Sequence, residues 1–246
     1  MKWIDKLRRI IACRLVRQQR NIDFSEPMFS FSFDDAPNSA FVTAREILKK
    51  YGYAGTYYIS LGLFKDDQPD IAYFDREHLR KVIDEGGELG CHTYNHIHFY
   101  SATEDEIGSD LDENQDQLRQ IIPDYLFSNF SYPYGEQTIR SKMLIRSRFS
   151  SARSVKTGIN RNPVDLNNLK SMQLDQELTL DTAIAFIEKT IRQKGWLIFY
   201  THDVQDDCSP LGYKPAYFES IVKYCFDRKL RVVTIEKGVD LINASS

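Results

Sequence analysis

Two adjacent carboxylates, Asp34 and Asp35, end an apolar run, and two imidazoles, His92 and His96, follow downstream four residues apart. Three oxygen or nitrogen ligands can hold one divalent cation, and a spare carboxylate beside it completes a set that makes water a nucleophile at neutral pH. A spacing of four is one helical turn, so a helix would turn both rings toward one ion. A zincin helix needs Glu directly after its first His; Thr93 stands there and excludes that class. The histidines thus lack a carboxylate of their own, and the aspartate pair supplies it. Pro37 stiffens the turn behind the acids, and Phe29-Ser30-Phe31-Ser32-Phe33 ties it to a core.

The elements that would position these groups alternate along the chain. Apolar runs at Met28–Phe33, Gly55–Ser60, Glu88–Cys91, Phe127–Tyr132, Phe149–Ser154, Trp196–Thr201 and Arg231–Ile235 read as strands. Helical patterns fall at Ser39–Tyr51, Asp75–Glu85, Thr103–Ile122, Glu136–Arg146, Asp181–Lys194 and Ala216–Arg228, the third opening on a capping box at Thr103 and Glu106. About seven β-α units predict an α/β fold with a parallel sheet. Asp34, Asp35, His92, His96, Tyr134 and His202 all fall at or just after strand ends, the edge where a barrel collects its catalytic groups. The expectation is a single-domain, distorted or incomplete (β/α) barrel of about seven parallel strands over residues 23–246, preceded by a basic amphipathic helix over residues 1–22.

Four ordered stretches resemble the polysaccharide deacetylases, the NodB-homology carbohydrate esterases. Phe33-Asp34-Asp35-Ala36-Pro37 is similar to the family's Phe-Asp-Asp-Gly-Pro, and His92-Thr93 through His96 to its His-Ser/Thr-x-x-x-His. Pro133-Tyr134-Gly135 resembles its Pro-Tyr-Gly, and His202 in Tyr200-Thr201-His202-Asp203 its strand-end histidine. The resemblance spans roughly residues 28–240. It implies Asp35, His92 and His96 as ligands of one divalent ion, zinc or another transition metal, and Asp34 as general base. It also implies an oxyanion site at Pro133 and the Tyr134 N–H, and His202 as the acid that protonates the departing amine.

Departures from the family pattern matter as much. Ala36 replaces the usual Gly. Ser131 stands where many members carry an Arg that pairs with the base, and Tyr200 replaces the Leu that lines the acyl pocket. The fourth motif is not recognisable, so Arg153 and Arg161 are candidates for related space. His78 reads as a helix-surface residue and His98 as a cleft-edge one; Asp203 orients a neighbour or is simply exposed. The expected activity is removal of an N-acetyl group from an amino sugar of a polysaccharide, lipid-linked glycan or precursor during surface-glycan assembly. Hydrolysis of another C–N bond (a formyl group, a small cyclic amide), or glycan binding with little catalysis, are the alternatives.

The bulk properties bound these readings. The chain has 246 residues, 42% of them hydrophobic and 13% aromatic, and its net charge of −3 argues against nucleic-acid binding. Yet the first twenty residues hold seven Lys and Arg against Asp5 alone, so the remainder is distinctly acidic. There Trp3, Ile4, Leu7, Ile11 and Leu15 recur at helical spacing among the cations. Such a helix lies on an anionic membrane, or packs its stripe on the domain, or covers the barrel's lower end. Cys13, Cys91, Cys208 and Cys225 have no CxxC spacing and read as free thiols in a reducing compartment. Lys6, Arg8 and Arg9 interrupt any signal-peptide core, so the expected location is cytoplasmic, peripheral at the inner face of the membrane.

Overall fold

The computed structural model describes residues 3–22, 24–35, 37–63 and 74–244; Ala36 lies outside them. Helix α1 (Trp3–Leu15) and the short strand β1 (Gln19–Arg20) precede β2 (Met28–Phe33), β3 (Thr56–Ile59), β4 (Glu88–Cys91), β5 (Asn129–Ser131) and β6 (Ser151–Thr157). Then come β7 (Val164–Asp165), β8 (Leu169–Gln173), β9 (Trp196–Thr201) and β10 (Arg231–Val232). Strands β2, β3, β4, β5, β6, β8 and β9 pair in that order, all parallel, and β9 returns to β2 along six residue pairs from Met28↔Trp196 to Phe33↔Thr201. The result is a closed seven-stranded parallel barrel.

Two predicted details change. The run Arg231–Ile235 is not a barrel strand: β10 pairs only with Met28 and Phe29, while β3 takes Ser32 and Phe33 on the same side of β2. The seventh ring strand is β8, whose Lys170 and Gln173 are half-exposed and blur its apolar pattern. Ile235 instead opens helix α8 (Ile235–Ala244), which the sequence reading did not separate. Ile235, Val239 and Ile242 join Trp196 and Met28 in one buried cluster, so α8, not α1, caps that end of the barrel.

The alternation in β2 is now legible. Phe31 and Phe33 face outward onto Phe218 of α7 (Pro215–Asp227), with ring centroids 5.5 and 5.9 Å away. Each buried aromatic of this kind stabilises the fold by roughly 1.5–3 kcal/mol. Ser30 and Ser32 occupy the other face and accept from the Trp196 indole and donate to the Phe199 carbonyl. Packing outside and hydrogen bonds inside fix the register that brings Asp34 to the strand's end.

The outer layer holds α2 (Arg45–Lys50, continuing a π turn at Ala40–Ala44), α3 (Arg76–Asp84), α4 (Glu104–Ile121), α5 (Ile139–Arg148), α6 (Leu180–Gln193) and α7. The expected capping box of α4 is present, with Thr103 accepting from the Glu106 N–H and Glu106 from that of Thr103. His78 caps α3 with Asp75 and stacks on Phe41. Between β6 and β8 the connection contains no α-helix, only β7 and a short turn. Helix α1 packs on α5 beside this gap, and β1 pairs antiparallel with β7. Ala12 and Val16 form its buried face, while Trp3, Leu7, Ile10, Ile11 and Leu15 are exposed.

Candidate active site

Asp34, Asp35, His92, His96, Tyr134 and His202 converge at the C-terminal edge of the barrel. Asp35 Oδ1 lies 3.5 Å from His92 Nε2 and 3.4 Å from His96 Nε2, and the three ligand atoms all fall within 4.8 Å of one another. Ligand atoms about 3.4 Å apart are what a tetrahedral ion with bonds of about 2.0–2.1 Å requires. Asp35 Oδ1 is buried and has no hydrogen-bond partner within the protein. The His92 Nδ1–H donates to the Ser131 carbonyl at 2.8 Å, which leaves the Nε2 lone pair facing the cluster. Burial, then repulsion from His92, lowers the His96 pKa to about 4, so its ring is neutral at pH 7 and free to ligate. On these grounds the residues fit one divalent ion.

The histidine pair is not on a helix, contrary to the spacing argument. Residues 92–98 form an irregular loop in which Thr93 has φ 63° and His96 φ 51°. Asp110 of α4, an acid the sequence reading passed over, folds this loop. Its carboxylate accepts from the Tyr94 and Asn95 N–H groups and from the Asn95 side-chain amide. Asp35 and Tyr134 also have positive φ, so four of the six non-glycine residues in that region, among those described, belong to the site. Left-handed backbone at a β-branched residue such as Thr93 costs energy and persists only where packing enforces it.

The missing arginine is found one strand over. Ser131 on β5 is the register partner of Arg153 on β6. Arg153 Nη2 donates to both carboxylate oxygens of Asp34 and to Ser131 Oγ. The guanidinium is fully buried, 5.2 Å from the Tyr58 ring and 4.4 Å from that of Tyr200. Burial by itself would push the Asp34 carboxyl up; Arg153, aided by His92 and His202, outweighs it and holds the pKa below the ordinary carboxylate value. Tyr200 is therefore the platform under Arg153, anchored by its hydroxyl to Gln173. Arg161 lies exposed on the β6–β7 connection, away from this cluster.

His202 Nε2 lies 4.0 Å from Asp35 Oδ2, and its Nδ1–H donates to the Leu211 carbonyl. Asp203 is buried and accepts from the Ser209 N–H and hydroxyl, bracing the loop that brings Leu211 to His202. Gly212 packs against it so closely that a Cβ would sit 2.3 Å from Asp203 Oδ1. On the opposite wall the Pro133–Gly135 turn is closed by the Gly135 and Glu136 N–H groups. The Tyr134 ring stacks on His98 and meets His96 edge-on at 4.3 Å. His98 is thus a cleft-edge residue, tied to Glu136.

Comparisons with known proteins bear on the family and the fold. The sequence model of the polysaccharide deacetylase family matches residues 21–147, about half of the chain, and the chain belongs to that family. Peptidoglycan-N-acetylmuramic acid deacetylase PdaA of Bacillus subtilis (strain 168) is 29% identical over 76 residues, 31% of this chain and 26% of that protein. The match thus spans about a quarter of that relative. A family 4 acetyl xylan esterase from Clostridium thermocellum, solved with a cobalt ion, superposes with TM-score 0.62 at 18% identity, over 87% of this chain and 91% of that one. Peptidoglycan deacetylase PdaC from Bacillus subtilis gives 0.55 at 18% identity, over 91% and 94%. Likeness at these identities establishes the shared fold.

Proposed function

We propose that this deacetylase-family chain is a metal-dependent hydrolase that removes the N-acetyl group from an amino sugar of a glycan or glycan precursor. The observation that carries the reading is Asp34, held ionised by Arg153, beside the Asp35–His92–His96 cluster. A divalent ion on Asp35, His92 and His96, zinc or a similar metal, would supply Lewis acidity at the amide carbonyl and its attacking water. Asp34 is placed to take the water's proton, and Arg153 keeps it unprotonated until then. The Tyr134 N–H, on a left-handed residue whose ring meets His96, would donate to the developing oxyanion. His202, its Nδ1–H fixed on Leu211, transfers a proton from Nε2 to the leaving nitrogen, giving acetate and a free amine.

A panel of N-acetylated, N-formylated and O-acetylated sugars tests the acyl group and the bond. Release of acetate from N-acetyl sugars, lost in Asp34→Asn, supports the reading. Formate release alone would replace it with deformylation, and tight glycan binding without release of any acyl group would replace it with a binding role.

We further propose that the protein works at an anionic cytoplasmic membrane face, on glycans during assembly. Helix α1, packed on α5, exposes Trp3 and Leu15, 76% and 68% accessible, and carries the exposed Arg8 and Arg14. Exposed apolar side chains interspersed with cations suit the headgroup boundary, each cation adding about 1 kcal/mol near anionic lipid. No helix among the described residues is long and apolar enough to cross a membrane. Co-sedimentation with phosphatidylglycerol vesicles, reduced in Trp3→Ser/Leu15→Ser, is the expected result; equal sedimentation of both proteins would reject the docking face.

A further inference from the structure

A cavity of about 680 Å³ opens between α1, β6 and the β6–β7 connection, outside the barrel and apart from the Asp35–His92–His96 cluster. Six cationic side chains line it: Arg9 and Arg14 from α1, Arg17 from the segment just after it, Lys156 from β6, Arg161 from the connection and Lys170 from β8. Arg9, Ile10, Cys13 and Arg14 recur at spacings of three and four, so one face of the helix is turned to the cavity. Among the described residues Asp165 is the only carboxylate in the lining, and its Oδ1 is occupied by the Gln18 and Asn167 N–H groups. Among the described residues, none of the six cations forms a salt bridge.

Convergence of six cations around one carboxylate is unfavourable in the free protein. Burial, then repulsion from Lys156 and Arg161, holds the Lys170 ammonium below the ordinary lysine value. Behind the wall, buried Lys142 donates to the Asn167 carbonyl and adds further positive charge. An anion entering the cavity removes this repulsion. The volume lies within the ordinary range of small-molecule sites. Several Arg and Lys donors around one concavity match the oxygens of a phosphate or diphosphate.

The cavity also shares a wall with the catalytic cleft. Tyr134 touches His96 on one side of its turn, while the next residue, Gly135, lines the cavity. A Cβ at Gly135 would meet Val155 at 2.3 Å, so the turn lies flat against β6. Val155, also in the lining, follows Arg153 by two positions on that strand.

We infer that this cavity binds a phosphate or diphosphate group on the substrate, so that the sugar presented to Asp34 and His202 is a phosphate-bearing amino sugar. The inference rests on the deacetylase reading for the sugar, but the anion site itself stands apart from it. Two sources share this chemistry, a nucleotide-linked sugar and a sugar on a polyprenyl diphosphate carrier.

Calorimetric titration of the full chain with inorganic diphosphate at fixed ionic strength tests the site. Saturable binding is expected, weakened tenfold or more in Lys156→Gln/Arg161→Gln; both side chains are exposed, and an unchanged melting temperature verifies the fold. Heats no larger than those with chloride, or equal binding by both proteins, would overturn the inference. In a second arm, kcat/KM is compared for N-acetylglucosamine methyl glycoside, its nucleotide diphosphate ester and its polyprenyl diphosphate ester. Preference for one diphosphate ester that falls at least tenfold in the variant supports the inference and identifies the source; equal use of the neutral glycoside overturns it. If no sugar is deacetylated, the deacetylase reading has failed, and the calorimetric arm alone decides the anion site.

Discussion

Replacing Arg153 with Met keeps the side chain's bulk between Tyr58 and Tyr200 but leaves Asp34 buried without its cation. Removing one partner of a buried ion pair costs roughly 3–5 kcal/mol. The carboxyl relieves that cost by taking up a proton, and at about 1.4 kcal/mol per pKa unit the shift is about two to four units upward. In the native protein Asp34 is held below its ordinary value of 3.8, so its contribution to stability is complete above about pH 4. That contribution is lost as pH falls through the lowered folded value. In Arg153→Met the folded value is raised, so the sign reverses and the variant is most stable in acid. Two assays follow: the acid limb of kcat/KM for acetate release, and urea midpoints across the same pH range. The limb should move up by two to four pH units and the slope of stability against pH should invert. Because Ser131 is the register partner of Arg153, Ser131→Arg/Arg153→Ser should return the limb toward its native position, with the guanidinium reaching Asp34 from β5. An acid limb that stays in place in Arg153→Met, however slow the enzyme, would refute the reasoning.

Other expectations concern the supports of the site and the far end of the barrel. Glu88 is fully buried, and burial, against bonds from the Glu236 N–H, Asn129 and Thr56, raises its pKa to about 7 from an ordinary 4.5. Its folded state retains a proton that the unfolded chain has released, so stability should fall by about 3 kcal/mol as pH rises from 4.5 to 7. Glu88→Gln should flatten that dependence in urea titrations, and an unchanged slope would dismiss the assignment. Asp110→Ala frees the loop carrying His92 and His96; divalent-ion affinity, measured by competition with a chelator, should drop about 10–100-fold in a folded protein. His96→Ala should lower it further, and equal affinity in all three proteins would place the metal elsewhere.

The candidate site residues were legible because each sits where a strand of the barrel ends, and strand ends can be read from apolar runs. Asp34 follows Phe33, His92 follows Cys91 and His202 follows Thr201, in phase with the ring. What supports them was less legible, since it depends on lateral register that linear spacing does not carry. Nothing in the local sequence says that Arg153 will lie beside Ser131, or that Asp110 will fold a loop fifteen residues away. The helical reading of His92 and His96 failed for the same reason: the four-residue spacing is met by a loop with two left-handed residues, Thr93 and His96, whose intervening Tyr94 and Asn95 N–H groups are bound by Asp110. Strand β8 was hidden by its half-exposed Lys170 and Gln173, and β10 was overread because a short apolar run does not reveal which neighbour it will find.

The account's central claim is that Asp34, beside an ion on Asp35, His92 and His96, hydrolyses an N-acetyl amide. Acetate release from a chitooligosaccharide, by protein stripped with chelator and then titrated with zinc, tests it most directly. Release that returns and saturates near one equivalent in the native protein, but not in Asp34→Asn binding the same zinc, is the predicted result. Release that is independent of added metal, or equal in Asp34→Asn, would contradict it.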